Sequence, residues 1–350
     1  MEKKRESNFE LLRIICYFGI VLLHVYGNFM PEAKGSTRFC GIVINCLFNT
    51  GVSIFVLISG YYGIRSLSLK KILSFWFCLL FYSLAGEILI QSINSAWNIR
   101  GLIVACFPIF TRKWWYMSTY ILLMLFSPWI NRIVHTLNEK DFLKLLSVFL
   151  ILFSVIPSSI GWTLFEDSGK GIGNLLFMYL LGQYFSVYFP KYQIRRKYCA
   201  LGGIIVFGVM IILTTVKTVV KRDIGIEGPF FRDASIFTVI LSVCIFLFFL
   251  QCNLSSNIIN YIAKRGIGIY LCDCTIRTIL LGRINLSQSL KGIVGCIGIV
   301  CLIMMTGVLV DSIRYFIVRK FDKCYTYVIG IIEKKVNLII NSIKKMEIEK

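Results

Sequence analysis

The first apolar segment of the chain carries side chains that could handle a proton. Residues 8–29, NFELLRIICYFGIVLLHVYGNF, are apolar enough to cross a bilayer, yet they include Glu10, Arg13 and His24. The only other histidine of the 350 residues, His135, falls in the basic stretch NRIVHTLNEKD, which is typical of a solvated surface residue. Imidazole accepts and returns a proton near neutral pH, so His24 is the candidate general base.

The spacing of these residues predicts a shared helix face. Eleven residues separate Arg13 from His24, close to three helical turns and a rise of about 16 Å. Glu10 stands three residues before Arg13, within reach of an ion pair. A charge inside a span costs about 2.5–3.5 kcal/mol, so this face should line a wet or protein-buried cavity. Snorkelling of Glu10 and Arg13 at the interface, and a packing hydrogen bond for His24, are the alternatives.

The elements that position this face are predicted to be transmembrane helices. The chain is 57% hydrophobic and 16% charged, against about 25% charged in soluble domains. Its apolar runs predict an all-α polytopic membrane protein, a bundle of about ten transmembrane helices. The candidate spans are 9–29, 42–63, 72–92, 114–131, 142–160, 174–190, 199–216, 234–251, 265–282 and 292–315. The shorter apolar stretch 101–110 should lie at the outer interface or re-enter.

The basic residues predict the orientation. Every second loop is basic, which favours cytoplasmic placement of those loops and of both termini, although residues 217–232 add cations on the other side. We assign 5–318 to the transmembrane domain and 319–350 to a basic amphipathic tail on the cytoplasmic leaflet, with a solvated helical tail as the alternative.

The remaining composition limits the partners. The net charge of +20 lies in short loops between apolar runs, so it indicates membrane topology and not a nucleic-acid partner. The thirteen cysteines are scattered through apolar segments without a C-x-x-C pair. We interpret them as packing residues and predict no metal site.

Several segments together resemble the membrane acyltransferase 3 family. Arg13, ten residues and then His24 resemble its R-x10-H signature, and GVSIFVLISGYY at 51–62 is similar to its G-V-x-x-F-F-x-x-S-G segment. KWWYMSTYILLMLFSPWIN at 113–131, FMYLLGQYF at 177–185 and GIGIYLCDCTI at 266–276 resemble three later segments in the same order. The sequence departs from the family at Asp273, where relatives often have histidine. Asp273 could take over part of the role of that histidine as a substrate-binding residue. Alternatively, it could form an ion pair with Arg277, four residues later.

The resemblance implies O-acyl transfer from cytoplasmic acetyl-CoA to a hydroxyl of a cell-surface or lipid-linked saccharide, by a multi-pass protein of the plasma membrane. His24 would deprotonate the acceptor hydroxyl or, as the second choice, accept the acyl group. Donors to the developing oxyanion would be Ser59, Tyr61 or Tyr270, each of which could instead make ordinary helix–helix hydrogen bonds.

The remaining site residues are assigned to the two substrates. Arg13, Arg65, Lys70 and Lys71 could hold the CoA phosphates, although loop cations are also explained by topology. Glu87, buried in the third span, and Trp114, at the start of the fourth, are candidates for binding the acceptor. Helix packing and an interfacial aromatic belt are their respective alternatives.

A transporter or flippase for a lipid-linked sugar is the rival function. In that class Arg13, Glu87 and His24 would form a proton-coupled polar pathway. Transporters often contain paired repeats with interrupted helices, and no such pairing is visible in this sequence. A polysaccharide polymerase, which usually relies on large outer loops, is a third reading.

Overall fold

The structure, a computed structural model, describes residues 7–64, 69–160, 169–192, 194–221, 230 and 232–320, with residues 327, 328, 330–332, 334, 335 and 338 of the tail. The described residues form helices and their connections, and they contain no β-strand. The described tail residues are helical. Most of the residues on which the amphipathic-tail prediction rests lie outside the described part of the chain.

The helices follow one another with short connections. They are α1 Ser7–Phe29, α2 Gly35–Phe48, α3 Thr50–Tyr62, α4 Leu69–Asn94, α5 Ile99–Ala105, α6 Trp115–Thr136, α7 Glu139–Leu150, α8 Ile156–Ile160, α9 Ile172–Tyr192, α10 Arg196–Lys221, α11 Ile236–Leu250, α12 Asn257–Lys264, α13 Gly266–Leu280 and α14 Leu290–Lys320. A π-helical turn, Ile151–Val155, joins α7 to α8.

These helices confirm the predicted fold class, an all-α polytopic membrane protein. Eight described segments are long and apolar enough to cross a bilayer: α1, α2 with α3, α4, α6, α7 with α8, α9, α10 and α14. The other two predicted spans coincide with α11 and α13, which have 15 residues each. Fifteen residues rise only about 22 Å, less than a typical hydrocarbon core. The number ten, and the cytoplasmic side for the termini, stay predictions.

Local sequence explains why α11 and α13 are short. The side chain of Ser235 accepts a hydrogen bond from the N–H of Phe237 and caps the start of α11. At Arg265, with backbone dihedrals outside the helical region, α12 ends and α13 begins. A separate short helix, α12, therefore precedes α13, and the predicted ninth span begins at the junction between the two helices.

Helix α1 lies at the centre of the bundle. It packs against α2, α3, α11, α12, α13 and α14, and its buried residues surround most of its circumference. Such all-round burial distinguishes a central helix from one facing lipid on one side. The residues of α1 that could do chemistry are therefore directed at other helices.

Glycines bring two pairs of helices into close contact. A Cβ on Gly60 of α3 would lie 2.1 Å from the carbonyl oxygen of Tyr179 in α9. Conversely, a Cβ on Gly182 of α9 would lie 2.3 Å from the carbonyl oxygen of Leu57 in α3. Small residues at such crossings let helix backbones approach in a membrane. A glycine also allows α14 to pack closely against α13, where a Cβ on Gly307 would lie 2.5 Å from the Cα of Ile269.

Successive spans alternate in direction and give the bundle two faces. We call the face at Ser7 the N-terminal face and the face at Phe29 the opposite face. Gln288, just before α14, donates to the carbonyl of Phe29 at 2.9 Å, so α14 starts on the opposite face and ends on the N-terminal one. The seven-residue α5 lies on the opposite face and is too short to cross, as predicted for 101–110.

Candidate functional site

One face of α1 borders a cavity of about 210 Å³ inside the bundle. Arg13, Tyr17 and Ile20 line it from α1, and we call it the Arg13 cavity. These residues stand at i, i+4 and i+7, and His24 continues the same stripe at i+11. His24 lies one helical turn beyond Ile20, just outside the described lining. The shared face predicted from the Arg13–His24 spacing is thus present in the helix.

Arg13 is held by an acidic neighbour at the entrance to this cavity. Its Nη1 donates to Oε1 of Glu10 at 2.7 Å, and the Glu10 side chain is buried whereas that of Arg13 is partly exposed. Pairing reduces the cost of burying both charges. Part of the guanidinium remains exposed beside this ion pair.

The other walls of the Arg13 cavity carry hydroxyl groups, two of which are already engaged. The Oγ of Ser59 donates to the carbonyl of Phe55 at 2.9 Å and lies 3.0 Å from the hydroxyl of Tyr120. The hydroxyl of Tyr270 on α13 has no hydrogen-bond partner within the described part of the chain. The same holds for the hydroxyls of Tyr17 and Tyr116, and of these three residues Tyr270 is the one that lies on the helix of Asp273.

His24 pairs with Asp273 across the α1–α13 contact. The Nδ1 of His24 lies 2.6 Å from Oδ2 of Asp273, whose side chain is 3% exposed, while the His24 side chain is 39% exposed. Oδ1 of Asp273 also accepts from Nε of Arg277 at 3.4 Å, and Arg277 Nη1 donates to Asn28. An ionised carboxylate only accepts hydrogen bonds, so Nδ1 of His24 is the donor in this contact.

The structure contains the ion pair that the sequence offered for Asp273, and it adds a partner that the sequence analysis did not name. The ion pair with Arg277 is present, and the same carboxylate also orients His24. The bond to His24 joins residues 249 positions apart. Spacing along one helix carried no signal for it, because it depends on how α1 and α13 are rotated against each other.

Other predicted site residues lie apart from the histidine. Tyr61 packs against Phe9, Tyr62 and Phe246 towards the N-terminal face. Trp114 belongs to the hydrophobic core at 4% exposure, which leaves little of its indole for a sugar ring. Lys71 is exposed at the start of α4. Arg65 and the side chain of Lys70 lie outside the described residues.

Glu87 lines a second cavity, on the opposite face. The Nε2 of Gln91 donates to Oε1 of Glu87 at 2.8 Å, and the same amide donates to the carbonyl of Asn98 at 3.1 Å. Glu87 therefore helps to fasten the connection from α4 to α5. Lys113 lines this cavity as well.

Two polar centres between helices were missed from the sequence. Asn131, at the end of the SPWIN segment, donates to the carbonyl of Ile64 at 3.1 Å and accepts from Tyr179 at 2.9 Å, which ties α6 and α9 to the end of α3. Asp311, 1% exposed in α14, accepts from Tyr82 at 2.8 Å and from Arg314 at 2.9 Å. An acid inside the last apolar run was a signal that could have found Asp311.

Comparison with known proteins gives one match. A family model described as an acyltransferase domain, that of the acyltransferase 3 family, matches residues 6–308 of the 350. No curated protein and no solved structure matches the chain. The match includes the Arg13 cavity, His24 and Asp273. The chain belongs to the acyltransferase 3 family, and it is a multi-pass membrane acyltransferase.

Proposed function

We propose that this protein moves an acetyl group, or another short acyl group, from acetyl-CoA in the cytoplasm to a hydroxyl of a cell-surface or lipid-linked saccharide at the plasma membrane. The observation that carries the proposal is the His24–Asp273 pair at 2.6 Å, on the α1 stripe that also lines the Arg13 cavity. A base one helical turn beyond a cavity that contains a guanidinium suits an acyl-CoA donor.

The donor would enter from the N-terminal face. A guanidinium matches the geometry and charge of a phosphate, so Arg13 would bind a phosphate of CoA, with Lys71 as a nearby surface cation. The pantetheine arm would then follow the Arg13 cavity along α1 towards His24, past the apolar walls formed by Val52 and Phe55. CoA is the donor substrate here and no resident cofactor is needed for the transfer.

His24 would act as the general base. The Asp273 carboxylate holds the Nδ1–H, so Nε2 is free to take the proton from the acceptor hydroxyl as its oxygen attacks the thioester carbonyl carbon. The carbon–sulfur bond then breaks, and the imidazolium returns the proton to the leaving thiolate. The products are the O-acyl saccharide and free CoA.

Tyr270 is the strongest candidate for stabilising the oxyanion. Its hydroxyl lines the Arg13 cavity without a partner in the described residues, and it lies one helical turn before Asp273 on α13. Ser59 already donates its proton to Phe55, so it is less available for that role. A fixed donor aimed at the developing charge stabilises the transition state more than the bound substrate.

The test is acyl transfer in membrane vesicles that contain the full chain. Acetyl-CoA labelled in its acetyl group is supplied on the cytoplasmic side, and label is measured in saccharide. We expect His24→Ala to lower transfer by at least about 100-fold, with unchanged protein in the membrane. His135→Ala is the matched control, because it removes the other histidine, which is exposed at the end of α6. Near-normal transfer by His24→Ala, or saccharide flux without acetylation, would refute the proposal.

A further inference from the structure

The second cavity lies on the opposite face, between the end of α4, the short α5 and the segment before α6. Its volume is about 520 Å³, and it is lined in part by Glu87, Asn98, Arg100, Thr111 and Lys113. We call it the α5 cavity. Its lining combines charged and hydrogen-bonding side chains, unlike the largely aromatic walls of the Arg13 cavity.

The α5 cavity approaches the reaction site from the side opposite to the donor. Lys113 stands three residues before Tyr116, which lines the Arg13 cavity and whose ring lies 6.2 Å from that of Tyr270. The segment that lines the α5 cavity therefore continues directly into α6, the helix that lines the Arg13 cavity.

The α5 cavity has positive charge to spare. The Nζ of Lys113 lies 3.4 Å from the carbonyl and 3.5 Å from the hydroxyl of Ser83, and 5.3 Å from the centroid of the Trp114 ring. No carboxylate of the described residues lies within ion-pairing distance of it. Burial lowers the pKa of Lys113, which is the desolvation that a bound anion would offset. Arg100 is exposed and likewise forms no ion pair among the described residues.

The acidic group of this cavity attracts Lys113 at long range but forms no ion pair with either cation among the described residues. The Glu87 carboxylate accepts from Gln91 and lies against Gly101, where an added Cβ would be 2.7 Å from its Oε1. Glu87 therefore fastens α5 to α4, and with one carboxylate to two cations the described lining keeps a net positive charge.

The apolar side of α5 indicates the depth at which the cavity lies. Trp97, Ile99, Ile103 and Phe110 are all more than half exposed on or beside α5. Apolar and aromatic residues on a short non-spanning helix are typical of the membrane–water interface. A ligand of the α5 cavity would thus reach it at the level of the lipid headgroups.

We infer that the α5 cavity is the acceptor subsite and that it selects a saccharide bearing an oxyanion, either a sugar carboxylate or a phosphate, which Lys113 and Arg100 bind. The inference rests on the proposed function and adds the chemical class of the acceptor. Binding of the oxyanion would place a neighbouring hydroxyl towards Tyr116, Tyr270 and the His24–Asp273 pair.

Direct binding tests this subsite without acyl transfer. The full chain in phosphatidylcholine nanodiscs, free of anionic lipid, is titrated with tetragalacturonate, with the neutral maltotetraose and with inorganic phosphate. We expect tetragalacturonate to bind at least about tenfold more tightly than maltotetraose, and Lys113→Gln to weaken its binding by at least about tenfold. Lys113→Arg should retain binding within about threefold because it keeps the charge.

Lys170→Gln is the matched control. Lys170 lies over the ring of Trp115 as Lys113 lies over that of Trp114, but it is outside the described lining of the α5 cavity. Its loss should leave tetragalacturonate binding unchanged. In the wild-type chain, tetragalacturonate should also slow the labelling of Lys113 by an amine-reactive ester and not that of Lys170, a readout that needs no variant.

The three ligands distinguish a sugar carboxylate from a phosphate as the oxyanion that the cavity binds. Binding of phosphate that Lys113→Gln weakens, without binding of tetragalacturonate, assigns the site to a phosphate-bearing acceptor. Equal binding of maltotetraose, unchanged binding in Lys113→Gln, or no binding of either anion overturns the inference. If tetragalacturonate binds but the vesicles show no acetyl transfer to saccharide, the proposed function is refuted and the subsite is not. If Lys113→Gln transfers acetyl groups at the wild-type rate, the subsite is refuted and the proposed function is not.

Discussion

Replacing Asp273 by asparagine tests the central pair of the site with one exchanged atom. The side chain keeps its size in a position that is 2% exposed, so packing of α13 against α1 is preserved. The carboxylate charge next to His24 and Arg277 is lost. Because Arg277 can only donate, we expect the asparagine oxygen to turn to Arg277 and its N–H to face Nδ1 of His24.

The size of the effect follows from the geometry. A hydrogen bond between charged partners contributes roughly 1.5–3 kcal/mol, so losing the bond from the His24 imidazolium slows transfer by roughly 10- to 100-fold. An amide N–H facing Nδ1 also moves the imidazole proton to Nε2, which then cannot accept one. The same exchange in Ser-His-Asp enzymes costs about 10⁴ in kcat. We expect Asp273→Asn to lower kcat by about 10² to 10⁴.

The assay is acetyl transfer from labelled acetyl-CoA in vesicles, expressed per folded molecule, with kcat and the KM for acetyl-CoA measured separately. A positioning role for Asp273 predicts a loss in kcat with little change in this KM. Asp311→Asn is the control, since it alters an equally buried aspartate in a hydrogen-bonded network on the N-terminal face. Asp273→Asn with kcat within about threefold of wild type, or an equal loss in both variants, would refute the reasoning.

Three further substitutions test the cavity and the fold. Arg13→Gln should raise the KM for acetyl-CoA by about tenfold with a smaller change in kcat, because it removes a charge-assisted phosphate contact. Tyr270→Phe should lower kcat by about 10- to 100-fold at an unchanged KM for acetyl-CoA if its hydroxyl stabilises the oxyanion. Gly60→Ala should destabilise the protein by about 1–3 kcal/mol, measured by thermal unfolding in detergent, because its Cβ would lie 2.1 Å from the Tyr179 carbonyl oxygen.

Each of these three has an outcome that would contradict it. An unchanged KM for acetyl-CoA in Arg13→Gln would show that Arg13 does not bind a phosphate of CoA. Transfer at the wild-type rate by Tyr270→Phe would show that the Tyr270 hydroxyl does not stabilise the oxyanion. Gly27→Ala is the control for Gly60→Ala, since a Cβ at Gly27 meets nothing within 4 Å. Equal unfolding temperatures for the two glycine variants would show that the α3–α9 contact tolerates a methyl group.

The helices and the polar stripe along the first span could be predicted from the amino-acid sequence. Apolar runs longer than a bilayer is thick can only satisfy their backbone as helices, so all ten predicted spans coincide with helices. The helical period placed Arg13 and His24 on one face and put Glu10 beside Arg13, because those relations depend on a single helix. The family segments could be recognised for the same reason: each lies within one stretch of chain.

Which side chains meet across different helices depends on the tertiary structure. Asp273 reaches His24, Tyr270 keeps a free hydroxyl while Ser59 does not, and Trp114 is buried in the core instead of lying at a surface. None of these follows from spacing along the chain, because each depends on the rotation and closeness of two helices. That closeness is set by residues far away in sequence, such as Gly60 and Gly307, where the absence of a side chain lets two backbones touch.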